Sequence, residues 1–368
     1  MEIGNEKPKQ INFKMNSLYT KIYLFLLILS LNNLFAEYYF YHNYNYGSEY
    51  QFNPISVIIN NGYDISQFTD KSREITNFPY KYAINNVFNS LVHPIKTIDN
   101  YGLKRFINNE IFPLSNDFSF NGEQWYPNYT IHLIGNGMTS RKLKEWFMFH
   151  NYKHPDFYSI STSIFFHIFN EVMENGNYIG YNADSVADIY IFDILGIILF
   201  RSDKVCNFFN KKLNLADWSL QPSIRINNAE IHNQGQYYSM KLKLPKKDKI
   251  YLFGSFGLDG LIGLSYKLKD NKFLSLGYGY IGRENIIIDE DKNIQGVLLE
   301  KSFGLFYDKN NSLLGSVRYS EKFYYKWLIN LYPGIYKKNK WGCFFGINHK
   351  NRYIFGINYI IPLGVVIN

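Results

Sequence analysis

The stretch Gln236-Tyr-Tyr-Ser-Met-Lys-Leu-Lys-Leu244 changes character at every residue: Tyr238, Met240, Leu242 and Leu244 alternate with Tyr237, Ser239, Lys241 and Lys243. A period of two puts one set on each face of a β-strand. The rhythm then repeats along the chain. Leu274, Leu276, Tyr278 and Tyr280 alternate with Ser275, Gly277 and Gly279, and Phe303, Leu305 and Tyr307 alternate with Ser302 and Gly304. Trp341, Cys343, Phe345 and Ile347 alternate with Gly342, Gly346 and Asn348, and Tyr353, Phe355, Ile357 and Tyr359 with Gly356 and Asn358. Turn residues separate the runs: Asp259-Gly260, Asp270-Asn271, Lys309 to Asn311, Lys338-Asn339 and Lys350-Asn351. Consecutive hairpins with one aromatic-rich face and one face of Gly, Ser, Asn and Lys predict an antiparallel up-and-down β-barrel of about eight strands over residues 216–368. The Gly-rich face suits a narrow lumen, so the apolar face is expected to meet lipid. In a water-soluble barrel the two faces would be exchanged.

Composition agrees with a membrane surface. Of 368 residues, 33 are Tyr and 31 Phe, and charged residues make up only 19%. Aromatic side chains favour the headgroup region of a bilayer, although a genome biased toward Asn, Ile, Lys, Phe and Tyr enriches the same residues. The net charge of +8 comes from scattered side chains. That pattern fits anionic lipid headgroups and argues against nucleic acid. Two cysteines, Cys206 and Cys343, exclude a disulfide framework and a thiolate metal site.

Export is expected from the N-terminus. Lys14 and Lys21 flank the start of an apolar run over 22–31, a polar break at Asn32 and Asn33 follows, and Leu34, Phe35 and Ala36 complete a signal peptide over 1–36, cleaved after Ala36. Met15 is a candidate start, and with no Cys at the cleavage point a lipoprotein is not expected. The later apolar stretch 189–200 is too short, and Asp193 makes it too polar, to span a bilayer as a helix.

Between signal and barrel the pattern is helical. Residues 37–124 read as irregular chain with amphipathic helices over 80–92 and 102–112, which pack on the protein's own core or lie on a membrane. Residues 125–215 read as a helical domain. Gly135, Asn136 and Gly137 suggest a turn, Thr139 or Ser140 a cap for the helix through Trp146, and helices follow over 156–175, from Asp184 to about Arg201, and around 205–213. The whole is therefore α+β.

Chemistry concentrates on two of these helices. His167, Glu171 and Glu174 recur at i, i+4 and i+7, and Asp184 and Asp188 at i, i+4, with Asp193 beyond. Antiparallel packing would bring His167, Glu171, Asp184 and Asp188 together. One imidazole and several carboxylates suit a divalent metal, or a general base with an orienting acid. The bland alternative is a polar stripe or a network pinning helix to helix. His132, Arg141 and Glu145 are candidates for a second wall. The serines Ser159, Ser161 and Ser163 have no base at a fixed spacing, and the chain carries no G-x-S-x-G elbow, P-loop, HExxH or dinucleotide fingerprint. No cofactor is specified.

The segments His132-Leu-Ile-Gly-Asn-Gly-Met, Arg141 to Trp146, His167-Ile-Phe-Asn-Glu-Val-Met-Glu-Asn175, Asp184-Ser-Val-Ala-Asp188 and Phe192-Asp-Ile-Leu-Gly196 resemble an uncharacterised family of exported bacterial envelope proteins. The order His, Glu, Asp-x-x-x-Asp is more distantly similar to the VanZ-like membrane proteins. The likeness covers roughly residues 125–201. It implies an envelope address and no established reaction, and it implies Asn where this chain has Asp193. Together these observations predict an outer-membrane protein with a structural or binding role, contacting membrane lipid, with a second envelope protein as a candidate partner. A lipid- or glycan-modifying hydrolase or transferase built on His167, Glu171, Asp184 and Asp188 is the alternative.

Overall fold

Short polar turns between alternating runs fold the C-terminal half into hairpins, and the turns carry the backbone that tight hairpins require. Asp270, Asn271, Asn310 and Asn311 all have positive φ, the conformation demanded by turns that match strand twist. The computed structural model describes residues 37–113, 125–177, 182–289, 294–336 and 339–367. The signal peptide and its cleavage point, as well as Lys338 of one turn, lie outside the described residues.

The sheet contains thirteen strands: β1 Ala216–Asp217, β2 Ser223–Arg225, β3 Glu230–His232, β4 Tyr238–Lys243, β5 Ile250–Phe256, β6 Asp259–Lys267, β7 Lys272–Asp289, β8 Ile294–Lys309, β9 Ser312–Tyr319, β10 Tyr325–Leu331, β11 Trp341–Asn348, β12 Tyr353–Tyr359 and β13 Gly364–Ile367. Their order is β1, then β4 to β13 in succession, then β2 and β3. All neighbours are antiparallel except β13 and β2. The expectation of about eight meandering strands closed into a barrel is corrected here. The sheet is mixed and larger, and no ladder among the described residues joins its terminal strands β1 and β3. Both ends nonetheless involve one short segment. Residues 216–220 run beside β4, with Trp218 N–H donating to Tyr237 O and Leu220 N–H to Gly235 O, and the same segment continues into β2 beside β13. Strands of two or three residues carry no readable rhythm, which is why the sequence did not announce them.

The two faces of the long strands are strongly unlike. Ile262 (71% exposed), Leu264, Leu276 (60%), Leu305, Trp327 and Trp341 (57%) lie on the surface. On the opposite face Lys241, Ser265, Ser275, Asp308, Ser316 and Asn330 are buried. Tyr278 stands opposite Phe303, Phe303 opposite Tyr319, and Tyr319 opposite Trp327, so one aromatic row crosses β7 to β10. Successive ring centroids are 4.7, 6.4 and 4.6 Å apart. The inner face is less uniformly small than its glycines suggest. Phe253 and Phe306 fill it together with Trp218, Leu261, Leu313 and Tyr332. Lys241 Nζ bridges both carboxylate oxygens of Asp308 at 2.8 and 2.7 Å, with both residues fully buried.

The helical part comprises α1 Gly47–Tyr50, α2 Pro54–Gly62, α3 Tyr80–Val92, α4 Pro94–Tyr101, α5 Leu103–Phe106, α6 Gly137–Phe149, α7 Pro155–Glu174, α8 Asp184–Ala187, α9 Ile194–Arg201 and α10 Asp203–Asn207. α2 lies within a stretch that reads as irregular, although Asn53 caps it through Ile55 and Ser56 N–H and Pro54 occupies its first turn. The expected turn at 135–137 is absent. π-helical turns over Pro127–Asn136 run directly into α6, and Thr139, rather than capping a helix, meets the buried Tyr238 hydroxyl at 2.8 Å. Gly137 is needed because its backbone approaches α9: an added Cβ would lie 2.8 Å from Gly196 O. Helices reach the sheet through buried polar contacts. Lys142 of α6 pairs with Glu49 (2.9 Å) and Asp217 (3.4 Å), Asn60 accepts from Gly235 N–H, and Tyr126 hydroxyl donates to Asp259 O.

Candidate functional site

α7 packs on α2, α3 and α6 through Phe166, Leu143, Val57, Val172 and Val87, with Ile189 from a further segment closing the cluster, which turns its polar stripe inward. His167 and Glu171 are each 1% exposed. Facing them is the helix formed by α8, π-helical turns over Asp188–Asp193, and α9. In a π turn the hydrogen bond runs from i to i+5. Asp188 and Asp193, five residues apart, are thereby held above one another instead of on different sides. The third wall is the π-helical Pro127–Asn136, which supplies His132 and Asn136.

These elements build one network. His167 Nδ1 lies 2.5 Å from Asp193 Oδ2, Asn136 Nδ2 donates to Asp193 Oδ1 at 3.2 Å and lies 3.4 Å from His132 Nδ1, and His132 Nε2 lies 3.3 Å from Asp188 Oδ2. The two imidazoles stack with centroids 4.5 Å apart at 13°. His167 Nε2 points toward Glu171 Oε1 at 3.6 Å. His167 Nε2, Glu171 Oε2, Asp184 Oδ1, Asp188 Oδ1, Asn136 Oδ1 and Glu110 Oε2 are buried with no hydrogen-bond partner.

Electrostatics follow from burying so many acids. Burial, then neighbouring carboxylates, lift Asp184 and Asp188 well above the usual carboxylate range. Burial pushes Glu174 up to about 7, and Glu110 likewise, against the hydrogen bond that the Tyr101 hydroxyl donates to it. Burial and the adjacent His167 hold His132 well below an ordinary imidazole. Burial also disfavours charge on His167, but Asp193 and Glu171 outweigh it and raise that ring to about 10.

Thus His167, Glu171 and Asp188 converge as their spacing suggests, and Asp184 joins through Glu110. His132 is part of the cluster. Arg141 and Glu145 are not, correcting the expected second wall: Glu145 accepts the N–H groups of Tyr39, Phe40 and Tyr41, and Arg141 binds Glu145, Glu37 O and Asp203. Both brace the segment after residue 36. Ser159 and Ser163 hydroxyls donate to carbonyls one turn back in α7, not to a base. Cys206 and Cys343 are free. The spacing rules passed over Asp193, which needs a π turn to reach His167, and Glu110 and Asn136, which arrive from distant segments. Two overlapping sets have donor atoms mutually within 4.8 Å: His132, His167 and Asp193, and His167, Glu171 and Asp188.

No family model, curated protein or solved structure matches this chain, so the roles of these residues rest on their geometry.

Proposed function

We propose that the chain is an outer-membrane β-barrel protein of the bacterial envelope, with a helical domain and a structural or binding role. The observation that carries this reading is the inversion of the sheet: Ile262, Leu264, Leu276 and Trp341 are exposed while Lys241, Asp308, Ser275 and Asn330 are buried. In water that arrangement forfeits the burial of large side chains, each worth roughly 1.5–3 kcal/mol. In lipid it is the favourable one. The row Tyr278, Phe303, Tyr319 and Trp327 fits an interfacial aromatic girdle. Residues 216–225, lying between β4 and β13, would complete the circuit of strands and leave no open edge facing lipid. That no helix among the described residues is long and apolar enough to cross a membrane leaves strands as the spanning elements in this reading.

A binding role is better supported than catalysis. The polar cluster is enclosed, and the side chain of His132, 12% exposed, is its most accessible imidazole. A hydrolase or transferase acting on lipid or glycan requires an opening wide enough for a substrate.

Fractionation of cells expressing the full chain tests the assignment, combined with electrophoresis of heated and unheated samples. Recovery in the outer membrane with a faster-migrating unheated form is expected. A chain that is recovered in the aqueous fraction and migrates identically with and without heating contradicts it.

A further inference from the structure

We propose that His167 Nε2, Glu171 and Asp188 form a binding site for one divalent first-row transition cation such as zinc or manganese, a ligand for the binding role proposed above.

Hydrogen bonds fix the tautomers around the cluster. Asp193 accepts from His167 Nδ1–H and from Asn136 Nδ2, whose amide also faces His132 Nδ1, leaving His132 Nε2–H to donate to Asp188 Oδ2. His132 is then neutral, and a cation at His167 Nε2 would take the place of the proton that Asp193 and Glu171 otherwise hold on that ring. His167 Nε2 faces Glu171 across 3.6 Å, and each of these groups has a buried atom without a partner. A shared proton requires an N···O distance of roughly 2.7–3.2 Å. Around a tetrahedral cation with bonds of about 2.0–2.2 Å, donor atoms sit roughly 3.3–3.6 Å apart, a range that reaches the distance between His167 Nε2 and Glu171 Oε1.

The set is balanced in charge, because two carboxylates offset a divalent ion and remove the cost of burying them bare. Asp193 on the far nitrogen of His167 is the carboxylate–histidine support that orients metal-binding imidazoles. With the donor atoms within 4.8 Å of one another, the side chains of Glu171 and Asp188 must close by up to roughly 1 Å to reach the tetrahedral spacing. An imidazole among carboxylates, with no thiolate, favours first-row transition ions over calcium and magnesium.

The test uses the full chain, without a histidine tag, in detergent micelles, stripped with chelator and titrated calorimetrically with Zn²⁺, Mn²⁺ and Ca²⁺. One equivalent of Zn²⁺ or Mn²⁺ is expected, with Ca²⁺ much weaker. Asp193→Asn should weaken binding by about 10–100-fold, Glu171→Gln and Asp188→Asn by more, and the exposed His154→Ala not at all. X-ray absorption of the zinc-loaded wild type should show one imidazole among oxygen ligands, and this decides the matter if the variants fail to fold. Substoichiometric uptake by the folded wild type, equal affinity for Ca²⁺, unchanged affinity in well-folded Glu171→Gln and Asp188→Asn, or a spectrum without imidazole would overturn the proposal. None of these outcomes bears on the outer-membrane reading, which fractionation tests separately.

Discussion

The sheet and the helical part both bury charge, and they treat it differently. Inside the sheet buried ions stand in opposite-charge pairs: Lys241 chelates the Asp308 carboxylate with neither exposed, and Arg318 lies 3.3 Å from Asp259, although its guanidinium makes no hydrogen bond. Between α7 and α8–α9, acids outnumber bases and several oxygens lack partners. A satisfied pair is a structural device, whereas an unsatisfied cluster held rigidly by three helices waits for a proton or a cation. Position in the chain thus separates scaffold from site.

The largest effect should come from breaking the satisfied pair. Lys241→Met leaves Asp308 buried without its counter-ion, and unfolding in detergent should show a loss of about 3–5 kcal/mol. The double variant Lys241→Met, Asp308→Leu should recover most of it. An undiminished single variant would mean that this face is wetter than its burial implies. Next, Leu276→Arg on the exposed face should cost about 2–4 kcal/mol in lipid vesicles, as a charge near the centre of the apolar band does. A change within about 0.5 kcal/mol, normal for a water-facing position, would make the sheet an ordinary soluble one.

A third effect concerns pH. Asp64 accepts from Gln236 N–H and the Gln67 amide, yet burial pushes its carboxyl up to about 7 from 3.8. Between those values the unfolded chain loses the proton that the folded one keeps, so stability falls as pH rises and levels off above about 7. Asp64→Asn keeps an acceptor for both donors and should flatten that stretch of the stability profile. A profile unchanged by the substitution would place the loss elsewhere.

What could be read beforehand was periodic. Leu274 to Tyr280 and Phe303 to Tyr307 declare their strands because alternate residues face alternate sides, and the tight turns at Asp270-Asn271 and Asn310-Asn311 declare their hairpins. The seam was not legible, since β1 and β2 are too short for a rhythm and the parallel pairing of β2 with β13 joins segments far apart in the chain. In the site, the i, i+4 rule found His167 with Glu171, and Asp184 with Asp188. It could not find Asp193 as partner of His167, because that contact depends on a π turn which no residue pattern announces. The sequence groups His132 with Arg141 and Glu145 and not with His167, because stacking on His167 is a tertiary event.

Tryptophan quenching tests the central claim most directly. Trp327 and Trp341 project from the sheet, while Trp218 is fully buried on its inner side. In single-tryptophan variants reconstituted into vesicles, brominated acyl chains should quench Trp327 and Trp341 and spare Trp218. Quenching of Trp327 and Trp341 by aqueous iodide, with no response to brominated lipid, would contradict an outward face that meets the bilayer.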